Sequence, residues 1–123
     1  MTTAYWCVLA AALTPYLAVV LAKAQPGFNN HAPRPWLEKL SGWRQRAYWA
    51  HQNAFETFPA FAAAVIIAHL AQAPQQRIDL LALVFVAARL AYIAAYIADA
   101  AALRSMMWSV GMACVFGLFV ISA

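Results

Sequence analysis

Charged side chains are scarce in this chain of 123 residues. Only 10% of the residues are charged, Asp and Glu together number 4, and 66% of the residues are hydrophobic. A soluble domain of this size is roughly half apolar and about a quarter charged. The composition therefore argues against a soluble domain. It predicts an integral membrane protein that forms a single domain over residues 1–123.

Cysteine and tracts of like charge are also nearly absent. The 2 cysteines, Cys7 and Cys114, lie far apart in separate apolar runs and lack metal-site spacing such as C-x-x-C. His31, His51 and His69 show no metal-ligand spacing, so we expect no metal site. The net charge of +4 lies in predicted loops and helix ends rather than in a basic tract. It informs membrane topology and does not predict nucleic-acid binding.

Apolar runs that could cross a bilayer, which takes about 20 residues, dominate the rest of the chain. They predict an all-α fold, a membrane four-helix bundle with helices over residues of about 3–24, 44–72, 76–100 and 103–122. We expect no regular helix in the connection Gln25–Trp43, because it contains several residues that favour turns and loops, namely Pro26, Gly27, Asn29, Asn30, Pro33 and Pro35.

Lysine and arginine are concentrated around that connection, where Glu38 is the one acid. The basic residues in or beside it are Lys23, Arg34, Lys39, Arg44 and Arg46. Short loops rich in Lys and Arg stay in the cytoplasm. We therefore predict a multi-pass protein of the cell inner membrane whose N- and C-termini both lie on the non-cytoplasmic side.

The second predicted helix carries polar residues along one face. Asn53 follows Arg46 by seven residues and Glu56 follows it by ten, so at 3.6 residues per turn all three lie on one side, together with Gln52. Polar residues inside a membrane are costly, and they usually face a bundle interior or a cavity.

The third predicted helix has a matching stripe of Arg89, Tyr92, Tyr96 and Asp99 at i, i+3, i+7 and i+10. Because this helix runs the opposite way, Glu56 and Arg89 fall at similar depth, and we predict that they form an ion pair. The pair is either purely architectural or part of a polar site. The amide and phenol groups of the two stripes favour a ligand site.

Arg104 begins the fourth predicted helix, with Ser105 next to it. A helix N-terminus favours anions through its free N–H groups and its dipole, so an added guanidinium suits a carboxylate or a thiolate. The alternative interpretation of Arg104 is a topology charge in a cytoplasmic turn.

These motifs resemble those of a known family. The pattern Asn53-x-x-Glu56-x-x-Pro59-x-Phe61, preceded by Arg46, resembles the second-helix signature of the MAPEG family, membrane-associated proteins in eicosanoid and glutathione metabolism. The pattern Arg89-x-x-Tyr92-x-x-x-Tyr96, followed by Arg104-Ser105, is similar to the end of the third helix and the start of the fourth in that family.

The resemblance implies a homotrimer in which glutathione, as co-substrate, lies between subunits near the cytoplasmic face. It implies catalytic roles for Arg104, which would stabilise the glutathione thiolate, and for Ser105, which would assist. The residues that it implies for glutathione binding are Arg46, Asn53, Glu56, Arg89, Tyr92 and Tyr96.

Two functions are compatible with the sequence. The first is a glutathione-dependent transferase or peroxidase that acts on lipophilic electrophiles or hydroperoxides. The alternative is a non-catalytic membrane trimer that binds lipid or another small amphiphile. Trp49 lies four residues before Asn53, where the eicosanoid enzymes of the family have a second arginine, and this difference favours the alternative. The sequence alone leaves open whether the protein is an enzyme.

Overall fold

The computed structural model describes all 123 residues and contains only α-helices, turns and loops. The helices are α1 (Thr3–Lys23), α2 (Pro33–Glu38), α3 (Gly42–Leu70), α4 (Gln75–Ile97) and α5 (Ala101–Ser122). All except α2 are long and apolar enough to cross a membrane, which makes 4 candidate spans. The predicted all-α, multi-pass architecture is therefore confirmed.

The prediction that the connection Gln25–Trp43 contains no regular helix is wrong. Helix α2 occupies Pro33–Glu38, and α3 already begins at Gly42. The two prolines of α2 lie in its first turn, where the backbone N–H groups have no partner within the helix. Proline costs little at such positions, and its fixed φ suits the helix start.

Small residues bring the four long helices close together. Helix α1 packs mainly against α3, and α4 packs mainly against α5. The buried residues of α1 include Ala4, Cys7, Ala11, Ala18 and Ala22. Side chains of this size let membrane helices approach closely. In the middle of the bundle the rings of Phe61 and Phe85 stack at 3.8 Å between centroids.

A group of polar side chains ties the helices together at the non-cytoplasmic end that the sequence predicts. Asp79 on α4 accepts a hydrogen bond of 2.8 Å from the backbone N–H of Ala4 at the start of α1. Thr2 Oγ1 and His69 Nε2 lie 2.9 Å apart, and the His69 ring stacks on Tyr5 at 4.1 Å. The first turn of α1 is therefore fixed to both α3 and α4.

At the opposite end, Arg46 joins α3 to the end of α4. Its Nε and Nη2 both donate to the carbonyl oxygen of Ile97, at 3.2 and 3.0 Å. That carbonyl belongs to the last turn of α4, where the C=O groups have no partner within the helix. The chain then turns through Asp99, at φ +59°, into α5. This arrangement places the start of α5 beside the polar faces of α3 and α4.

Candidate functional site

The polar stripes of α3 and α4 face each other, as predicted, but their charged groups do not pair directly. Arg89 Nη2 donates a 2.8 Å hydrogen bond to Asn53 Oδ1. Asn53 Nδ2 in turn donates a 3.0 Å bond to Glu56 Oε2. The predicted Glu56–Arg89 ion pair is thus wrong, because the amide of Asn53 lies between the two charged groups.

The chemistry of the amide explains this arrangement. A carboxamide offers both an acceptor oxygen and donor N–H groups, so it can serve a guanidinium and a carboxylate at the same time. Arg89 is 3% exposed and needs a nearby acceptor, whereas Glu56 is exposed at the bundle surface. Asn53 meets both requirements without drawing Glu56 into the interior.

An open groove runs along these residues, and it has two lobes. The first, here called the Glu56 lobe, has a volume of about 390 Å³ and is lined by Trp49, Gln52, Asn53, Glu56, Tyr92 and Tyr96. The second, here called the Arg104 lobe, has a volume of about 320 Å³ and is lined by Asn53, Tyr92, Tyr96, Arg104, Ser105, Trp108 and Ser109. Both lobes share Asn53 and the two tyrosines.

Aromatic rings hold the arginines of the site in place. The guanidinium carbon of Arg104 lies 4.6 Å from the centroid of the Tyr96 ring, and that of Arg89 lies 4.2 Å from the Tyr92 ring. The two tyrosine rings meet edge to face at 5.6 Å. Contacts of a guanidinium with a ring face are attractive and restrict its orientation.

Arg104 gives its lobe a positive character. It lies in the first turn of α5, where its backbone N–H donates to the carbonyl of Ala100 at 2.9 Å. The helix dipole and the guanidinium both favour an anion at this end of α5. The hydroxyls of Ser105 and Ser109 line the same lobe. Together these groups could bind a carboxylate or stabilise a thiolate.

The structure brings most of the predicted site residues together. Asn53, Glu56, Tyr92, Tyr96, Arg104 and Ser105 all line the groove. Arg89 lies behind it and is linked to it through Asn53. Arg46 lines neither lobe, because its guanidinium is bonded to Ile97. The ligand contacts assigned to all these residues stay predictions.

Two residues of the Arg104 lobe were absent from the predicted set, Trp108 and Ser109. Each follows a predicted site residue by four positions, Trp108 after Arg104 and Ser109 after Ser105, so each lies on the same helix face as its predecessor. The Ser109 hydroxyl donates to the backbone carbonyl of Ser105 at 3.0 Å. The spacing of four residues from Arg104 and Ser105 could have identified Trp108 and Ser109 from the sequence.

Comparison with protein families adds an independent observation. The model of the MAPEG family matches residues 3–123, which is nearly the whole chain. The chain belongs to the MAPEG family. This is a family of membrane glutathione-related transferases and peroxidases, and the match confirms the resemblance found in the motifs. No curated protein matches the chain.

Proposed function

We propose that this MAPEG protein is a glutathione-dependent transferase or peroxidase that acts on lipophilic electrophiles or hydroperoxides. The observation that carries the proposal is the Arg104 lobe. There, an arginine at a helix N-terminus faces a groove of about 320 Å³ beside two serine hydroxyls. Family membership supports glutathione as the co-substrate.

The chemistry required is the activation of a thiol. A free cysteine thiol has a pKa of about 8.5 and is mostly protonated at neutral pH, whereas the thiolate is the nucleophile. The positive charge of Arg104 would stabilise the thiolate of glutathione and so lower the pKa of its thiol. Ser105 could donate a hydrogen bond to the same sulfur.

The location of the groove suits a lipophilic second substrate. Its walls belong to helices long and apolar enough to cross a membrane, so an electrophile or hydroperoxide dissolved in the bilayer could enter from the side. We further propose that the protein is a homotrimer with glutathione bound between subunits near the cytoplasmic face. The walls of both lobes would then be completed by a neighbouring copy.

Isothermal titration calorimetry with glutathione tests the proposal on the purified protein. We expect saturable binding by the wild type and binding weakened by about 10- to 100-fold in Arg104→Ala, the range for losing a charge-assisted hydrogen bond. Arg34→Ala is the control, because Arg34 is exposed and lies outside both lobes. Absence of saturable binding by the wild type would contradict the proposal.

A non-catalytic membrane trimer that binds lipid or another small amphiphile is the second candidate. It is favoured by the shortage of cations in the groove, where Arg104 is the one basic residue in the lining of both lobes. Glutathione carries two carboxylates as well as its thiol. Turnover assays with a hydroperoxide and with chlorodinitrobenzene, each with glutathione, separate the candidates, since turnover of neither compound would support the second.

A further inference from the structure

A small cavity lies behind the groove, between α1, α3 and α4. Its volume is about 10 Å³, and its lining includes Thr14 of α1, Thr57 of α3 and Arg89 of α4. All three side chains are buried, and apart from tyrosine and cysteine no other polar or charged side chain of the protein is buried. Polar groups inside a membrane bundle are costly unless each has a partner. Their position around one cavity therefore indicates a ligand that satisfies them together.

Arg89 has donors that no protein group accepts from. A guanidinium can donate in several directions of its plane. The side-chain hydrogen bond of Arg89 to the protein is the one from Nη2 to Asn53 Oδ1. Leaving a buried charged donor without an acceptor costs more than leaving a neutral one. The remaining N–H groups of Arg89 therefore require a further acceptor.

The two threonines offer acceptors to the same cavity. Thr14 Oγ1 donates to the carbonyl of Ala10 at 2.9 Å, and Thr57 Oγ1 donates to the carbonyl of Asn53 at 3.2 Å. Because their protons are used in this way, both hydroxyl oxygens keep lone pairs that can accept. Neither oxygen is hydrogen-bonded to Arg89. A molecule between them is needed to connect these acceptors to the charged donor.

Pro15 adds a third acceptor near the cavity. Proline has no N–H, so the carbonyl of the residue four positions earlier, Ala11, lacks its usual donor within α1. Ala11 is itself part of the cavity lining. The walls therefore combine one strong donor, Arg89, with hydroxyl and carbonyl oxygens that accept. A ligand that both accepts and donates fits this set, whereas an anion would face the lone pairs of the oxygens.

A single water molecule matches the cavity in size as well. A volume of about 10 Å³ is close to that of one water-sized sphere, which is the least that a cavity needs to hold water. Buried water typically makes about three hydrogen bonds to polar groups that would otherwise be unsatisfied. Here the water would accept one bond from Arg89 and donate two to oxygens of α1 and α3. A halide ion is larger and donates none.

We propose that this cavity binds one water molecule, which accepts from the guanidinium of Arg89 and donates to the hydroxyl oxygens of Thr14 and Thr57, and that the two threonines position Arg89 through this water. Arg89 in turn holds Oδ1 of Asn53, whose side chain lines both lobes of the groove. The water site thus fixes a wall of the groove from behind. It does not require glutathione, so it is independent of the proposed function.

NMR of protein with isotope-labelled arginine side chains tests whether the threonines position Arg89. The Nε–H signal of Arg89, identified by its loss in Arg89→Lys, should exchange slowly with solvent in the wild type. The double variant Thr14→Val with Thr57→Val keeps the shape of both side chains and removes both acceptors. We expect it to accelerate exchange at Arg89 by about 10-fold or more, the change for a weakened hydrogen bond of a charged group.

Serine variants and a second arginine provide the controls. Thr14→Ser with Thr57→Ser keeps both hydroxyls but loses two methyl groups, so exchange at Arg89 should stay slow. Arg46, whose Nε donates to the carbonyl of Ile97, should exchange at the wild-type rate in every variant. The positioning role is overturned if the valine variant leaves exchange at Arg89 unchanged or accelerates it equally at Arg46, or if the serine variant has the same effect as the valine variant. Thr57→Val alone replaces the double valine variant if the latter does not fold.

A crystal structure of the wild type at a resolution that shows ordered water tests the ligand itself. We expect one water oxygen within hydrogen-bonding distance of the Arg89 guanidinium and of at least one of the two threonine oxygens, and none in the double valine variant. Crystals grown in bromide should show no anomalous signal in the cavity. An anomalous peak there, or a wild-type cavity without water density, would overturn the water site.

Discussion

Asn53 links the buried guanidinium of Arg89 to the groove. It accepts from Arg89, which is 3% exposed, and donates to Glu56. A buried guanidinium without an acceptor is strongly destabilising. The side chain of Asn53 therefore has a structural role as well as its place in both lobes of the groove.

Replacing Asn53 with alanine should destabilise the protein more than neutralising Glu56. Asn53→Ala removes the acceptor of a buried charged donor and should lower the free energy of unfolding by about 1–3 kcal/mol. Glu56→Gln leaves the bond of Arg89 to Asn53 intact and should cost less. Thermal and denaturant unfolding of the purified variants measures both changes.

The control for this comparison is Gln52→Ala. Gln52 is exposed on the adjacent position of α3, and its replacement should change the free energy of unfolding by no more than about 0.5 kcal/mol. If Glu56→Gln lowered the free energy of unfolding as much as Asn53→Ala does, the charge of Arg89 would be stabilised directly by Glu56, and this account would be wrong.

For individual residues, the sequence predicted which side chains face each other but not which atoms form hydrogen bonds. The spacing of polar residues on α3 and α4 was sufficient to place Asn53, Glu56, Tyr92 and Tyr96 on one groove. Depth counted along a helix axis does not resolve differences of one turn, about 5.4 Å. The long side chain of Arg89 reaches Asn53, one turn away from Glu56 along α3.

Interactions at helix ends fix how the elements meet. Arg46 donates to the terminal carbonyl of α4, and Asp79 accepts from the N–H group of Ala4 in the first turn of α1. These are positions where a cation and an anion, respectively, also complement the helix dipole. The sequence did not predict either hydrogen bond, because the spacing of residues along a helix does not show which backbone groups of another helix a side chain can reach.

Removing the guanidinium of Arg46 should loosen the end of α4. We expect amide hydrogens in residues 94–100 of Arg46→Ala to exchange about fivefold faster, the change for losing about 1 kcal/mol of local stability. Hydrogen exchange with mass spectrometry measures it. Arg34→Ala should exchange in this segment as the wild type does, and unchanged rates in Arg46→Ala would rule out the capping role.

Removing the carboxylate of Asp79 should weaken the attachment of α1. Asp79→Ala leaves the N–H of Ala4 without its acceptor and should cost about 1–3 kcal/mol of unfolding free energy. Gln75→Ala removes a side chain that only donates to the same carboxylate at an exposed position, so its cost should be much smaller. Equal decreases in unfolding free energy for Asp79→Ala and Gln75→Ala would contradict this role of Asp79.

Helix α2 shows where prediction from composition fails. Three prolines between Gln25 and Trp43 indicated an irregular segment, yet two of them lie in the first turn of a helix. Leu37, within α2, is buried against Val19, Ala47 and Tyr48 in a cluster at this end of the bundle. Burial of an apolar residue stabilises this short helix, and that tertiary contact is not visible in local sequence.

For the whole molecule, the distribution of basic residues predicts which end faces the cytoplasm. Cys7 and Cys114 are both buried, so engineered cysteines can be labelled against a low background. In intact cells a membrane-impermeant maleimide should label Gln76→Cys, in the first turn of α4, and not Asn30→Cys. Asn30→Cys should react once the membrane is opened, and the reverse pattern would contradict the predicted topology.

For the whole molecule, the sequence predicts the fold better than it predicts the activity. Four apolar runs and a family match over residues 3–123 are sufficient for the membrane bundle. The proposed activity depends on whether one groove arginine, Arg104, meets a thiol. That contact depends on a ligand and, in the proposed trimer, on neighbouring subunits, and the hydrophobic pattern specifies neither.

The central claim is that Arg104 stabilises the thiolate of bound glutathione. Ultraviolet thiolate absorbance, followed against pH for glutathione bound to the wild type and to Arg104→Ala, tests it most directly. We predict that the pKa of the bound thiol lies below that of free glutathione in the wild type, because the guanidinium favours the anion, and that it rises towards the free value in Arg104→Ala. A bound thiol that titrates like free glutathione, or equally in both proteins, would contradict the account.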